Sequence, residues 1–217
     1  MNTGVPPGRD TLDIRQGAYL PHVTRTSGGI YAVTFRLADS LPHRVLHRLT
    51  KERDELIAAA KACAGGLSEG EERRLASLHA QRIGDFLDTG AGSCAMNEPG
   101  MAQMIADALT HFAGQRYHLH AWCVMPNHVH VLVEPLAGNR LIDVVQSWKS
   151  FTAKAANKLR GRTGPFWQPE YHDHLIRDDE DYRHAVSYIE GNPLKAGLHG
   201  WRWVSSRALQ RGPPTSP

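Results

Sequence analysis

Cysteine is scarce in this chain of 217 residues: there are three, Cys63, Cys94 and Cys123. No two stand in a Cys-x-x-Cys spacing, and any pairing leaves one over. That argues against a thiolate zinc site and fits a reducing compartment. Long apolar runs are also missing. No stretch approaches the ~20 residues needed to span a bilayer, and the opening Met1–Pro7 has no signal-peptide core. The expected location is therefore the cytoplasm, with no membrane partner. Neither sign of charge dominates, since 25 basic residues face 22 acidic ones for a net +3. A mildly basic chain of this kind accommodates a polyanionic partner without requiring one. No internal repeat is visible.

Histidine, by contrast, is abundant, with thirteen in the chain. The length suits one well-packed domain carrying a sizeable insertion. Residues 1–20, polar and rich in Gly and Pro, read as a flexible arm, and residues 206–217 as a disordered tail. Ile30–Leu37 is β-branched and aromatic, as a strand should be. Ser40 is a candidate N-cap for the helix that follows, with Pro42 in its first turn. Residues 43–87 read as two helices broken at Gly65-Gly66, the second opened by a Ser68–Glu71 capping box. This helical hairpin, within about 43–90, looks inserted into a smaller core.

Beyond it, Asn97 is a candidate cap for a helix whose apolar residues Met101, Met104, Ile105, Ala108, Leu109 and Phe112 share one face. Tyr117–Val124 and Val129–Glu134 form two strands joined through Met125–His128. Leu141–Arg160 is a helix with Leu141, Val144, Val145, Trp148, Phe151 and Thr152 along one side. Phe166–Ile176 reads as a further strand. Asp178 caps a last helix whose first turn is acidic, favourable with the helix dipole, and Pro193 is expected to stop it.

The spacing His-x-His occurs three times: His118/His120, His128/His130 and His172/His174. Alternate residues of a strand point to one face about 6.5–7 Å apart, so each could offer two imidazoles to a metal. His128/His130 is favoured because it follows a Pro-Asn turn, where a ligand can approach, and because Val129, Val131 and Val133 anchor its back. In the last helix Tyr188 and Asn192 stand four apart, on one face. Asn192 can donate a carbonyl oxygen to a metal and Tyr188 a phenolic nucleophile; His184, one turn earlier, can orient the phenol or touch phosphate. The plainer alternatives are a half-buried core tyrosine and a helix-end asparagine placed before a proline. Lys149, Lys154, Lys158, Arg160 and Arg162 lie in a stretch without acids, either a solvated face or a phosphate-binding one.

Met125-Pro-Asn-His-Val-His130, Trp148-Lys-Ser, Phe166-Trp-Gln and Tyr188-Ile-Glu-Gly-Asn-Pro-Leu-Lys-Ala-Gly-Leu198 together resemble the REP-associated tyrosine transposases. These belong to the single-tyrosine HUH transposases of bacterial insertion sequences. Tyr31–Arg36 is similar to that family's first strand, and the resemblance covers roughly residues 28–200. It implies an α+β, ferredoxin-like (RRM-like) antiparallel sheet with helices packed on it, over a domain spanning 21–205. It further implies Mg²⁺ or Mn²⁺ held by His128, His130 and Asn192, with Tyr188 attacking a single-stranded DNA phosphate to give a 5′-phosphotyrosine. The implied substrate is single-stranded DNA bearing a hairpin, a REP-like palindrome, and a homodimer is one possible assembly. Lys149, Lys154, Lys158 and Arg162 become candidates for DNA-backbone contact, and Trp167 or Tyr171 for base stacking. Two other readings stay open: a nucleic-acid-binding regulator on the same fold, and a metal-dependent hydrolase in which water attacks.

Overall fold

The computed structural model describes residues 12–16, 21–25, 28–64 and 68–206. Two short strands, β1 (Leu12–Gln16) and β2 (Pro21–Arg25), pair antiparallel, so part of the expected arm is a strand. The Gly65-Gly66 break and the tail beyond Ser206 lie outside the described residues. Ser206 itself belongs to a strand, which moves the expected start of the tail.

The main sheet contains β3 (Tyr31–Arg36), β4 (Tyr117–Val124), β5 (His128–Pro135), β6 (His172–Leu175) and β7 (Val204–Ser206). Its order is β6-β3-β5-β4-β7, with every neighbouring pair antiparallel. The helices are α1 (His43–Ala64), α2 (Glu69–Asp88), α3 (Pro99–Thr110), α4 (Leu141–Leu159) and α5 (Asp179–Lys195). The series β3-α3-β4-β5-α4-β6 is the ferredoxin-like βαββαβ arrangement. The α1–α2 hairpin is inserted between its first strand and first helix, as expected. The capping box of α2 forms with both reciprocal hydrogen bonds, and Asp178 caps α5 by accepting from the Glu180 and Asp181 amides.

The sheet separates two kinds of packing. On one face Tyr31, Val33 and Phe35 of β3 join Val129, Val131 and Val133 of β5 against α3 and α4. On the other, Ala121, Cys123 and Leu132 meet Ile189 of α5. β5 is central and covered on both sides, so its first six residues, His128–Val133, are all buried. The alternation of histidine and valine therefore sorts side chains between two interiors rather than between core and water.

Several local expectations change. Ser40 donates to the Leu37 carbonyl instead of capping α1. α3 starts after Glu98, not Asn97, because Asn97 is held in a short 3₁₀ turn. Phe151 is exposed, and Ala156 takes the expected inward place. Only His172–Leu175 of the expected 166–176 strand is regular, although Trp167 bridges to Leu37. Pro193 does not end α5. It lacks the N–H that would reach the preceding turn, but it lies in the last turn and the amide of Ala196 still bonds to the Asn192 carbonyl at 3.0 Å.

One buried relay locks α3, β4 and α4 together. The Trp148 indole donates to the Tyr117 hydroxyl at 2.9 Å, which donates to the Leu109 carbonyl at 2.8 Å. Tyr117→Phe keeps the ring but leaves an indole N–H and a carbonyl unpaired in the core. It is expected to lower stability by about 1–3 kcal/mol, read from urea unfolding midpoints; a change near zero would show that the relay contributes only shape.

Candidate active site

Cross-strand register builds the site in rows. Arg36 lies opposite His128, and Thr34 lies opposite both His130 and His172, with Cys123 next to His130. Directly opposed residues share a face, so the two favoured histidines stand on the α5 side of the sheet. Their rings converge, with the two Nε2 atoms 2.8 Å apart.

Hydrogen bonding fixes the proton of His128. The Asn127 amide donates to the carbonyls of Leu87 and Ala91 at 3.0 and 2.9 Å, which leaves its oxygen as an acceptor. That oxygen lies 2.7 Å from His128 Nδ1, so His128 carries its proton on Nδ1 and a lone pair on Nε2. His130 Nε2 faces that lone pair, and its Nδ1 lies 2.8 Å from the Thr34 hydroxyl, which can donate or accept and so suits either tautomer of His130. Burial holds both rings neutral. It pushes His130 down to about 3, with His172 and Lys195 adding to the effect, and it lowers His128 well below its ordinary value, helped by His130 and Arg36.

Tyr188 reaches the same place from α5, its ring 5.2 Å from that of His130. It is 43% exposed, enough for a substrate to meet it. Burial pushes its phenol up, while Asn192 draws it back, Asp88 raises it and Lys195 lowers it. Asn192 is 1% exposed, and its amide oxygen has no hydrogen-bond partner. An amide so placed costs stability unless something else completes it. Within one chain, therefore, His128, His130, Tyr188 and Asn192 meet. His184 is exposed on α5.

One member of each of the other two pairs is taken up structurally, while His172 lies across Thr34 from His130, close enough to act on it. A bulge between Leu119 and Ala121 breaks the register of β4, and His120 turns to Tyr182 and Glu134, at 3.1 and 3.3 Å. His174 bonds to the Asp181 carboxylate at 2.9 Å.

The basic stretch is not beside the histidines. α4 packs on the opposite face of the sheet, leaving Lys154, Lys158 and Arg162 exposed on that side. Lys149 is committed to the carbonyls of Gln168 and Pro169, at 2.7 and 2.6 Å, and burial lowers it to about 8. Trp167 is a correction: it is 5% exposed, edge-on to Phe35 and bonded to Thr152, so no base can stack on it. Tyr171 lines a groove of about 440 Å³ between α4 and residues 164–171.

The second helix of the insertion also reaches the site. Asp88 Oδ1 lies 3.9 Å from His128 Nε2, and a Cβ on Gly84 would come within 3.1 Å of the Tyr188 hydroxyl. Asn127 was legible as a turn residue, not as the group that orients His128. No local pattern announces Asp88, which arrives by folding of the insertion. Among the described residues, no three His, Cys, Asp or Glu side chains stand close enough to hold a metal without help. None of the described helices is long and apolar enough to cross a membrane.

The chain is similar to known proteins over part of its length. Residues 98–192 match the family model described as "Transposase IS200 like". The chain is 32% identical over 100 residues to a REP-associated tyrosine transposase of Escherichia coli K12, covering 46% of this chain and 56% of that protein. It is 31% identical over 87 residues to a Haemophilus influenzae protein provisionally given the same name, covering 36% and 49%. It thus spans about half the length of the curated relatives it matches. A solved REP-associated tyrosine transposase bound to a REP hairpin aligns with 19% identity over 82% of this chain and 76% of that one, at a TM-score of 0.47.

The buried histidines set a pH dependence. The His130 value is depressed in the fold, so the unfolded chain takes up a proton near pH 6.5 that the fold refuses until about 3. Its stabilising contribution is complete above about pH 6.5 and is lost as pH falls. At pH 5.5 the loss from this residue is on the order of 1 kcal/mol. Urea unfolding at pH 7.5 and 5.5 should show a drop in stability that His130→Gln reduces by that amount; an unchanged drop in the variant sinks the assignment.

Proposed function

We propose that this chain, which is similar over about half its length to REP-associated tyrosine transposases, is a metal-dependent single-stranded DNA transposase, cleaving and rejoining strands at hairpin-associated sites. The observation that carries the reading is the meeting of His128, His130, Asn192 and Tyr188 at one partly open point. Two neutral imidazoles and an amide whose oxygen has no protein partner fit a divalent cation, Mg²⁺ or Mn²⁺. Such an ion, held by His128, His130 and Asn192, would supply Lewis acidity at a phosphoryl oxygen.

The chain's own residues do the rest. The Tyr188 oxygen attacks phosphorus, forming an ester bond as the bond to the 3′-oxygen breaks, which leaves a 5′-phosphotyrosine and a 3′-OH. The phosphodiester energy is kept in the protein–DNA bond, so rejoining needs no nucleotide cofactor. Since burial raises the phenol's pKa, Tyr188 enters protonated at neutral pH and loses its proton during the attack. Arg36, opposite His128 on β3, places positive charge beside the point where phosphate binds. Lys154, Lys158 and Arg162, behind the sheet, can touch only DNA remote from the cleaved bond. No second copy is needed to bring Tyr188 to His130.

The test uses a single-stranded hairpin oligonucleotide with Mn²⁺, resolved on a denaturing gel. A covalent protein–DNA band is expected, absent in Tyr188→Phe and after chelation. Cleavage with no covalent band would instead identify a hydrolase, and binding with no cleavage a regulator.

A further inference from the structure

We propose that Asp88, the last residue of α2, is a ligand of the divalent ion at His128 and His130, so that the helical insertion completes the metal centre. The proposal rests on the reading above that this pair binds metal. Asp88 is about a tenth exposed, and its Oδ1 faces the same His128 nitrogen that faces His130, at 3.9 Å. Oδ1 has no hydrogen-bond partner among the described residues. Oδ2 meets the Lys195 ammonium at 3.1 Å. Lys195 thus holds one oxygen and leaves the other turned toward the histidines. A carboxylate whose only role was to neutralise Lys195 would be redundant, because Asp85 already meets that ammonium at 2.7 Å.

The chemistry points the same way. Magnesium and manganese favour oxygen donors, and carboxylates above all. Two neutral imidazoles and an amide leave both charges of a dication uncompensated in a buried site; one carboxylate removes half of that. Two histidines with one carboxylate also form a recurrent three-ligand set with open positions for oxygen. Ligands sharing one ion through bonds of about 2.0–2.2 Å stand about 3 Å apart, so Asp88 has roughly 1 Å to travel. The end of α2 is well placed for this. Asn127 binds the Leu87 and Ala91 carbonyls on either side of Asp88. Gly84, one turn earlier on the same face, leaves room for the Tyr188 hydroxyl.

Mn²⁺ is titrated into the full chain, followed by calorimetry and by loss of the free-ion electron paramagnetic resonance signal, with circular dichroism to confirm folding. Asp88→Asn is expected to weaken binding by ~10-fold or more, as loss of a charged ligand should, while Asp85→Asn changes it by less than about twofold. Asp88→Cys should shift preference from Mn²⁺ to Cd²⁺ relative to the wild type by ~10-fold, because thiolates select soft ions; a structural role would not produce that switch. Wild-type affinity in Asp88→Asn, with binding lost in His130→Gln, would overturn the proposal and leave the histidine centre standing. Failure of the wild type to take up Mn²⁺ would overturn both.

Discussion

The Asn127 amide donates to two carbonyls at the end of the inserted helix and accepts from His128, and the geometry of the site follows from these bonds. They orient the first imidazole, choose its tautomer and attach the insertion to the turn before β5. His130 is then constrained from both sides, by His128 and by Thr34 on the neighbouring strand. Because the rings are buried, they remain uncharged lone-pair donors across the physiological range. A surface pair at the ordinary histidine value would be partly protonated there and would bind a cation less well.

The sheet gives each half of the molecule a separate task. Its α3–α4 face is a close-packed apolar core, closed by edge-on aromatic contacts such as Tyr117 with Trp148 and Phe35 with Trp167. Its α5 face holds the histidines, an amide with an unpartnered oxygen and an ion-paired carboxylate. Polar groups that would be costly in the first layer are tolerated in the second, where Tyr188 keeps a path to solvent. Basic residues of α4 lie behind the wrong side of this partition to touch a phosphate at His128.

Much of the core was legible in the sequence because its signals are local. The β-branched alternation of β3 and β5, the helical period of α3, the capping box at Ser68 and the Asp178 cap each reflect neighbours along the chain. The pairing of His128 and His130 was legible for the same reason, and their association with Tyr188 and Asn192 followed from a motif set. What escaped was tertiary. A bulge turned His120 to other partners, a hydrogen bond to Asp181 occupied His174, and neither has a signature in spacing. Trp167 read as a stacking surface because exposure cannot be inferred from residue type alone. Asp88 and Gly84 sit in an apparently ordinary helix, some forty residues from the histidines, and only the return of α2 over the sheet brings them in.

The strand order also has a consequence for how the chain comes into being. β3 is made first among the strands of the main sheet, yet its partners are His128–Val133 and His172–Leu175. At roughly 5–20 residues per second, about 5–20 s of synthesis separate β3 from its first partner. For that interval Tyr31-Ala-Val-Thr-Phe-Arg36 is an unpaired, apolar, β-prone segment with a single charge, the kind that joins other chains edge to edge. The intervening α1–α2 hairpin closes through local contacts and forms early, well before either partner strand has been made.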